Sequence, residues 1–350
     1  MRVVIITGSS GLIGSESVKF FIKKGFKVLG IDNNLRKYFF GKDGDTKWQL
    51  DNLKKIKNYN HFNYDIRNYK KIENIFKKFG KKIEAIIHCA AQPSHDWASK
   101  EPITDFSINA TGTINLLELT RRFSQNAKFI FMSTNKVYGD TPNKISLVEN
   151  YSRYEPKDIR LKKKGISEKM SIDDSKHSIF GASKVAADIA VQEYGKYFNL
   201  NTVCFRGGCL TGPSHSGAEL HGFLSYLVKC CLSGKLYTIY GYKGKQVRDN
   251  IHSNDLVKMF WEYIKKPTKG EVYNVGGGIK NSCSILEAIK MIETKTRKKM
   301  LVKLTKKNRA GDHIWYVSNL QKFKKAYPKW RMSHNLDKII SDIIKEQSRV

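Results

Sequence analysis

The sequence predicts an α/β fold, a doubly wound parallel sheet with a smaller mixed α/β lobe toward the C-terminus. Three observations predict it. Short apolar, β-branched runs alternate with segments of helical period along residues 1–206. The first of these runs leads into three glycines at three-residue spacing. The second ends in an acid, Asp32.

Val3 to Thr7 is too short for a helix and suits a buried parallel strand. In the turn that follows, Gly8 permits a tight reversal and Gly11 lets backbone approach a pyrophosphate. Gly14 lets the next helix lie close on the strand. Ser15 to Lys24 reads as that helix, and its N-terminal N–H groups and partial positive charge suit phosphate. The second strand, Lys27 to Ile31, delivers Asp32, whose carboxylate accepts from both ribose hydroxyls of NAD and repels a 2′-phosphate. Together these form a Rossmann-type fingerprint, which sets NAD against Gly8, Ser10, Gly11, Leu12, Ile13, Gly14, Asp32, Asn33 and Asn34. Arg36 and Lys37 stand nearby as cations able to accept a 2′-phosphate.

Asn33 to Asn60 is polar and dotted with aromatic residues, and reads as a long connection that folds over cofactor or substrate. His61 to Tyr64 is the expected third strand and brings Asp65 and Ile66 to the adenine. Tyr69 to Phe79 is an amphipathic helix, and Ala85 to Cys89 the fourth strand. Ala90, Ala91 and Gln92 follow it; the alanines leave room where backbone passes the pyrophosphate and adjoining ribose. Ile103 to Phe123 reads as a long helix carrying Asn109, which is also expected at the cofactor. Lys128 to Met132 is the fifth strand. Residues 141–177 read as loop, a helix is expected from about Ala182, and Asn201 to Arg206 is the sixth strand. A mostly helical stretch then leaves the sheet, and Leu236 to Tyr240 returns toward it. Glu271 to Val275 is a further strand and Ser284 to Glu293 a helix. The expected division is an NAD-binding domain of residues 1–206 with 236–265 returning, and a substrate lobe of 207–235 and 266–350. In such sheets ligand lies outside the C-terminal strand ends.

Composition narrows the function classes. The 350 residues hold 40% hydrophobic side chains, enough for a sizeable core, and no apolar run approaches a membrane span. Met1 leads straight into the first strand, so no signal peptide is expected. The six cysteines show no C-x-x-C spacing, so neither zinc nor a disulfide framework is expected, and a reducing cytoplasm is the expected home. The net charge of +31 is spread along the chain without a zinc-finger, RNP or KH pattern. It suits steering of an anionic substrate better than a nucleic-acid partner.

The stretches TGSSGLIG, IDNN, HCAAQ, NATGTINLLE, STNKVYGD, GASK, GKQVRDNIHSNDL and NRAGDH lie in this order over nearly the whole chain. In this they resemble the extended short-chain dehydrogenase/reductase family, the NAD-dependent nucleotide-sugar epimerases and dehydratases. STNKVYGD and GKQVRD make the chain look most like its CDP-paratose (CDP-tyvelose) 2-epimerases. The resemblance implies that a sugar hydroxyl is oxidised by hydride transfer to NAD and that the hydride then returns. It gives Thr134 the role of holding the forming oxyanion and Lys184 that of holding the nicotinamide ribose. Arg248 and Arg309 match the family's diphosphate-binding arginines, whose planar forks suit phosphate. Cys209 stands where many relatives carry an asparagine at the substrate phosphate. A homodimer is expected, paired through the helices Ile103–Phe123 and Ala182–Phe198.

Two departures matter. Where family dehydratases carry Asp–Glu to eliminate water, this chain has Asn135–Lys136, so dehydration loses ground to epimerisation or simple redox. Four residues before Lys184, where the family has a tyrosine, stands Phe180, which cannot take or give a proton. Lys136, His95, His177, Ser178 and Cys209 are the candidate replacements, with His95 and Lys136 foremost. The reading is therefore an NAD-dependent epimerase of a nucleotide-diphosphate sugar, a CDP-sugar by preference. The alternatives are a nucleotide-sugar reductase or dehydratase, and a non-catalytic NAD-binding protein with an RNA partner.

Overall fold

In the computed structural model, residues 1–219, 221–309 and 311–349 are described. Seven parallel strands form the central sheet: β1 (Val3–Thr7), β2 (Lys27–Ile31), β3 (Tyr59–Phe62), β4 (Ile83–His88), β5 (Lys128–Thr134), β6 (Asn201–Gly207) and β7 (Glu271–Val275). Their spatial order is β7-β6-β5-β4-β1-β2-β3. The order reverses between β1 and β4, and there a crevice opens at the C-terminal strand ends. β1 is fully buried, as strands covered on both faces must be. One apolar layer, with Val18, Phe21, Phe260 and Phe323, covers one face; another, with Ile72, Phe76, Leu116 and Val191, covers the other.

Several elements differ from expectation. Asn33–Asn60 is not a loop: it holds helices Arg36–Phe40 and Lys47–Lys54. β3 starts at Tyr59, two residues early, because the Tyr59 hydroxyl bonds the Ser9 hydroxyl at 2.9 Å and its ring fills the space over Gly30. Residues 141–177 contain the hairpin Leu147–Glu149/Tyr154–Pro156 and the helix Ile159–Lys164, which Asp158 caps. The helix expected from Ala182 already begins at Ser178 and runs to Lys196. The long helix Pro102–Phe123 is interrupted by a π turn over Ser107–Thr111.

Two placements correct the expected division. Glu271–Val275, assigned to the lobe, pairs with β6 and closes the central sheet. Tyr237–Tyr240, expected to return to that sheet, instead pairs in parallel with Val302–Thr305. Tyr237 and Ile239 bury with helices Phe223–Ser233, Ile285–Thr296 and Leu336–Gln347 in a separate apolar cluster. The third small sheet carries Val247–His252, which lies between Ser282–Ser284 and Trp315–Tyr316 and also pairs with Cys209–Thr211. Among the described residues no helix is long and apolar enough to cross a membrane.

Candidate active site

A cavity of about 460 Å³ lies at the ends of β1, β4 and β5 and extends under the lobe to Arg248 and Arg309. Its floor is the glycine turn. Gly8 has φ +65°, and a Cβ there would meet the Ala90 nitrogen at 2.8 Å. A Cβ on Gly14 would lie 2.0 Å from the Gly8 carbonyl oxygen. The first helix, Leu12–Lys23, starts at this turn with no side-chain cap, leaving its N-terminal N–H groups for an anion.

The turn and Asp32 fit NAD. The Asp32 carboxylate accepts the Ser10 N–H at 2.9 Å and the Asn34 N–H at 2.7 Å, which fixes it at the cavity wall. Gly11, Leu12, Ile13, Asn33, Asp65, Ile66, Ala90 and Ala91 line the same end. Asn33 donates to Asp65, whose other partner is Arg67. Ser10 and Asn34 do not line the cavity. They act through those backbone N–H groups, and the Asn34 side chain turns to Asp45 and Thr46.

Gln92 and Asn109, expected at the cofactor, lie behind the cavity lining. Both are buried, and neither lines the cavity. Asn109 Oδ1 accepts the Gln92 N–H at 2.9 Å, while Gln92 Nε2 and Asn109 Nδ2 both donate to Asp105. Ser183 donates to the other Asp105 oxygen. The network ties the segment after β4 to the helix that carries Phe180 and Lys184.

At the far end of β5, Thr134 Oγ1 accepts the Lys136 N–H at 3.2 Å, and both side chains line the cavity with Asn135. The buried ion pair Asp188–Arg206, at 2.7 Å, also takes the Ser133 hydroxyl and so locks the Phe180 helix to the end of β5. Lys184 donates to the Met132 carbonyl at 2.9 Å and sits 4.1 Å from the Phe131 ring centre. Burial brings its ammonium down to about 8. Phe180 lines the cavity in its expected register, edge-on to His95.

The candidate bases separate clearly. His95 Nδ1 lies 2.9 Å from Ser178 Oγ, and its Nε2 is buried without a partner. Burial, then Lys136 and Arg309, bring it down to about 3, so it is neutral. His177 Nε2 contacts the Ile172 carbonyl at 2.7 Å, and neither His177 nor Ser178 lines the cavity. Burial pushes the Cys209 thiol up to about 12, so it stays protonated and inert. Lys136 lines the cavity, and burial lowers its ammonium to about 8.

Arg248 is held by the Val247 carbonyl at 2.7 Å, by Asp312 at 2.5 Å and by the His313 carbonyl. Burial alone would raise Asp312, but Arg248, Lys136 and Arg309 bring it down to about 2. Arg309 lines the cavity beside them. Asp312, Arg36, His215 and His221 are cavity residues that the sequence did not assign to the site. Asp312 was signalled, three residues past Arg309 within NRAGDH. Arg36 donates to the Ser216 carbonyl at 2.8 Å and stands 3.3 Å from His221 Nδ1, so its guanidinium is committed to the lobe rather than to a 2′-phosphate. The histidines carry no spacing that marks them in sequence.

Known proteins are similar to this chain in sequence and in fold. Residues 4–276 match the NAD dependent epimerase/dehydratase family. The chain is 33% identical over 297 residues to CDP-paratose 2-epimerase of Salmonella typhi, covering 83% of each. It is 28% identical over 306 residues to a dTDP-glucose 4,6-dehydratase of Escherichia coli, covering 82% of this chain and 77% of that one. In fold it is similar to a tyrosine-to-phenylalanine variant of UDP-glucuronic acid 4-epimerase from Bacillus cereus, solved with UDP-4-deoxy-4-fluoro-glucuronic acid and NAD. That likeness has a TM-score of 0.80 and 22% identity, with 99% of each chain covered. A fingerprint fitted to NAD and a match over most of its length place the chain in the NAD-dependent epimerase/dehydratase family of nucleotide-sugar enzymes.

Proposed function

We propose that the protein is a CDP-sugar 2-epimerase, oxidising the sugar transiently at C2 and reducing it again from the other face. The observation that carries this reading is the pair Asn135–Lys136 behind Thr134. Asn135 cannot act as a general acid and Lys136 is a single titratable group, so the carboxyl pair that expels water from the keto sugar is missing, which disfavours dehydration. The likeness to CDP-paratose 2-epimerase supports the choice of nucleotide and carbon.

When bound, NAD supplies the reversible oxidation of carbinol to ketone. In this reading Lys184 holds the nicotinamide ribose and Thr134 donates to the oxygen as it gains charge, a reading supported by their both lining the cavity. Asn135 lies beside Thr134 as a neutral contact for the sugar. Arg248, kept in position by Asp312, and Arg309 bind the diphosphate, with Cys209 as an uncharged wall between nucleotide and sugar. The basic chain favours arrival of the dianionic substrate. Its cysteines, unpaired in the structure, suit a reducing compartment.

The reading includes a homodimer. Ile103, Phe106, Ile114, Ile179 and Ile189 are all exposed on the two expected pairing helices, and a twofold copy would cover them. Leu116, Leu117 and Val191 of the same helices face the core.

The test is incubation with CDP-, UDP- and GDP-sugars in deuterated water, followed by NMR. A C2-epimer without deuterium at that carbon supports the reading. A dehydrated product or solvent deuterium at C2 overturns it. Phe180 favours a second reading, a non-catalytic NAD-binding protein, which gains if NAD and CDP bind and no sugar turns over.

A further inference from the structure

We infer that Lys136 takes the place of the missing phenol, receiving the proton of the reacting sugar hydroxyl on its Nζ and returning it on reduction. The inference rests on the epimerase reading above and concerns the group that the family pattern leaves unassigned here.

The geometry of the amine carries it. Nζ donates to the Gly311 carbonyl at 2.9 Å and lies 3.4 Å from His313 Nδ1. His313 Nε2 is 2.8 Å from the Gly139 carbonyl, so Nε2 bears the ring hydrogen and Nδ1 is the acceptor facing Lys136. Two of the tetrahedral positions on Nζ are thus directed at neutral acceptors. Among the described residues no third partner is bonded to Nζ, and Lys136 is one of the side chains that line the cavity. In the amine form the third position is a lone pair, and in the ammonium form an N–H. This is the pair of states a proton acceptor and donor needs.

Neutral acceptors favour the ammonium less than a carboxylate in direct contact would. The charged groups around Lys136 also bear on its proton. Asp312 raises its affinity for the proton, while Arg248 and Arg309 lower it; the Cys209 thiol is protonated, and His313 and His95 are neutral. Asp312 is itself engaged by Arg248, so its charge is shared, and burial leaves the ammonium at about 8. That is close to neutral pH, where a general base works best. His95 offers no such accessible atom, because its unpartnered nitrogen is buried.

The step balances. The O–H bond of the carbinol breaks as an N–H bond forms on neutral Nζ, which becomes ammonium. The carbon's hydrogen leaves with its electron pair to the NAD oxidant, and both transfers reverse on reduction.

Lys136→Met, Lys136→Arg and the double variant Lys136→Met/Phe180→Tyr test the proposal. Wild-type kcat is expected to rise with pH through a limb near 8. Lys136→Met and Lys136→Arg should each lose about 100-fold or more in kcat, the size of an acid–base contribution, with KM changed much less. The double variant regains a phenol at the family position, and should recover at least about tenfold in kcat over Lys136→Met and move the limb. A Lys136→Met enzyme within threefold of wild type, or a folded double variant without recovery, overturns the proposal.

A readout independent of turnover separates this from failure of the epimerase reading. Protein with 13C-labelled lysine, loaded with NAD and CDP, should show one Cε resonance, absent from Lys136→Met, that titrates near pH 8. A midpoint above about 10, the ordinary lysine value, overturns the proposal even if no sugar substrate has been found.

Discussion

The Phe180 ring meets the His95 imidazole edge-on, with centroids 4.9 Å apart and planes at 71°. His95 lines the cavity beside the phenylalanine, with Nδ1 on the Ser178 hydroxyl and Nε2 buried. His95→Phe should keep kcat within about threefold, less than the smallest loss expected for a general base. His95→Ala should lower stability by about 1 kcal/mol through the lost ring contact, read as a shift in denaturant midpoint.

Gly14→Ala should nearly abolish NAD binding. Its Cβ would stand 2.0 Å from the Gly8 carbonyl oxygen, a backbone atom that cannot swing aside. Over-packing of this kind costs about 1–3 kcal/mol, and the displaced turn is the one that meets the pyrophosphate. Cofactor titration and thermal melting of the same variant check both effects.

Asp32→Ala should weaken NAD about 10- to 100-fold, the range for losing hydrogen bonds to a charged acceptor. NADP, no longer repelled, should lose less or gain. With Arg36 engaged by Ser216 and His221, a gain for NADP should remain small. Calorimetry with both cofactors reads the ratio.

Stability should fall on acidification between about pH 6.5, where unfolded histidine titrates, and pH 3. Burial holds His88, His95 and His215 at about 3 in the folded protein. In that window the unfolded chain binds more protons, so stability is full above the unfolded value and is lost as pH falls. Asp249, which burial raises to about 6, acts in the opposite sense, stabilising when protonated and losing that contribution as pH rises through 6. The histidines outnumber it, so the midpoint temperature should drop from pH 7 to pH 5. His88→Gln should flatten the curve.

Ile103→Glu should give a monomer by light scattering at micromolar concentration. Ile103 is 86% exposed at the start of the interrupted helix, so the change costs the monomer little and burdens a paired face with charge. A wild-type protein that is already monomeric would remove the dimer from the proposal.

The first six sheet strands were legible because β-branched runs, glycine spacing and Asp32 all point the same way. Asn33–Asn60 misled because its helices are only 5 and 8 residues long, too short to show a helical period. Glu271–Val275 was seen as a strand, but which sheet it joins depends on Val203 to Gly207, its partners nearly seventy residues earlier. At the site, motif order brought Thr134, Lys184 and Arg248 to one cavity. Gln92 and Asn109 lie behind its lining, where they brace each other, because residues near a cavity and residues that brace its loop share the same motif positions. The commitment of Arg36 to Ser216 and His221 rests on contacts across about 180 residues, which no local pattern records.

The π turn at Ser107–Thr111 has the consequence of a phase marker. An α-helix advances about 100° per residue, and a π turn accommodates one residue more than a regular turn. The wide turn absorbs that residue and keeps Pro102–Phe106 in phase with Gly112–Phe123, so that Asp105 stays aligned with Asn109 and Ser183. Deleting one residue of 107–111 other than Asn109 should therefore restore a regular helix with both segments nearly in place, whereas deleting one from the regular turns of Gly112–Phe123 would rotate what precedes it by about 100° and break that network.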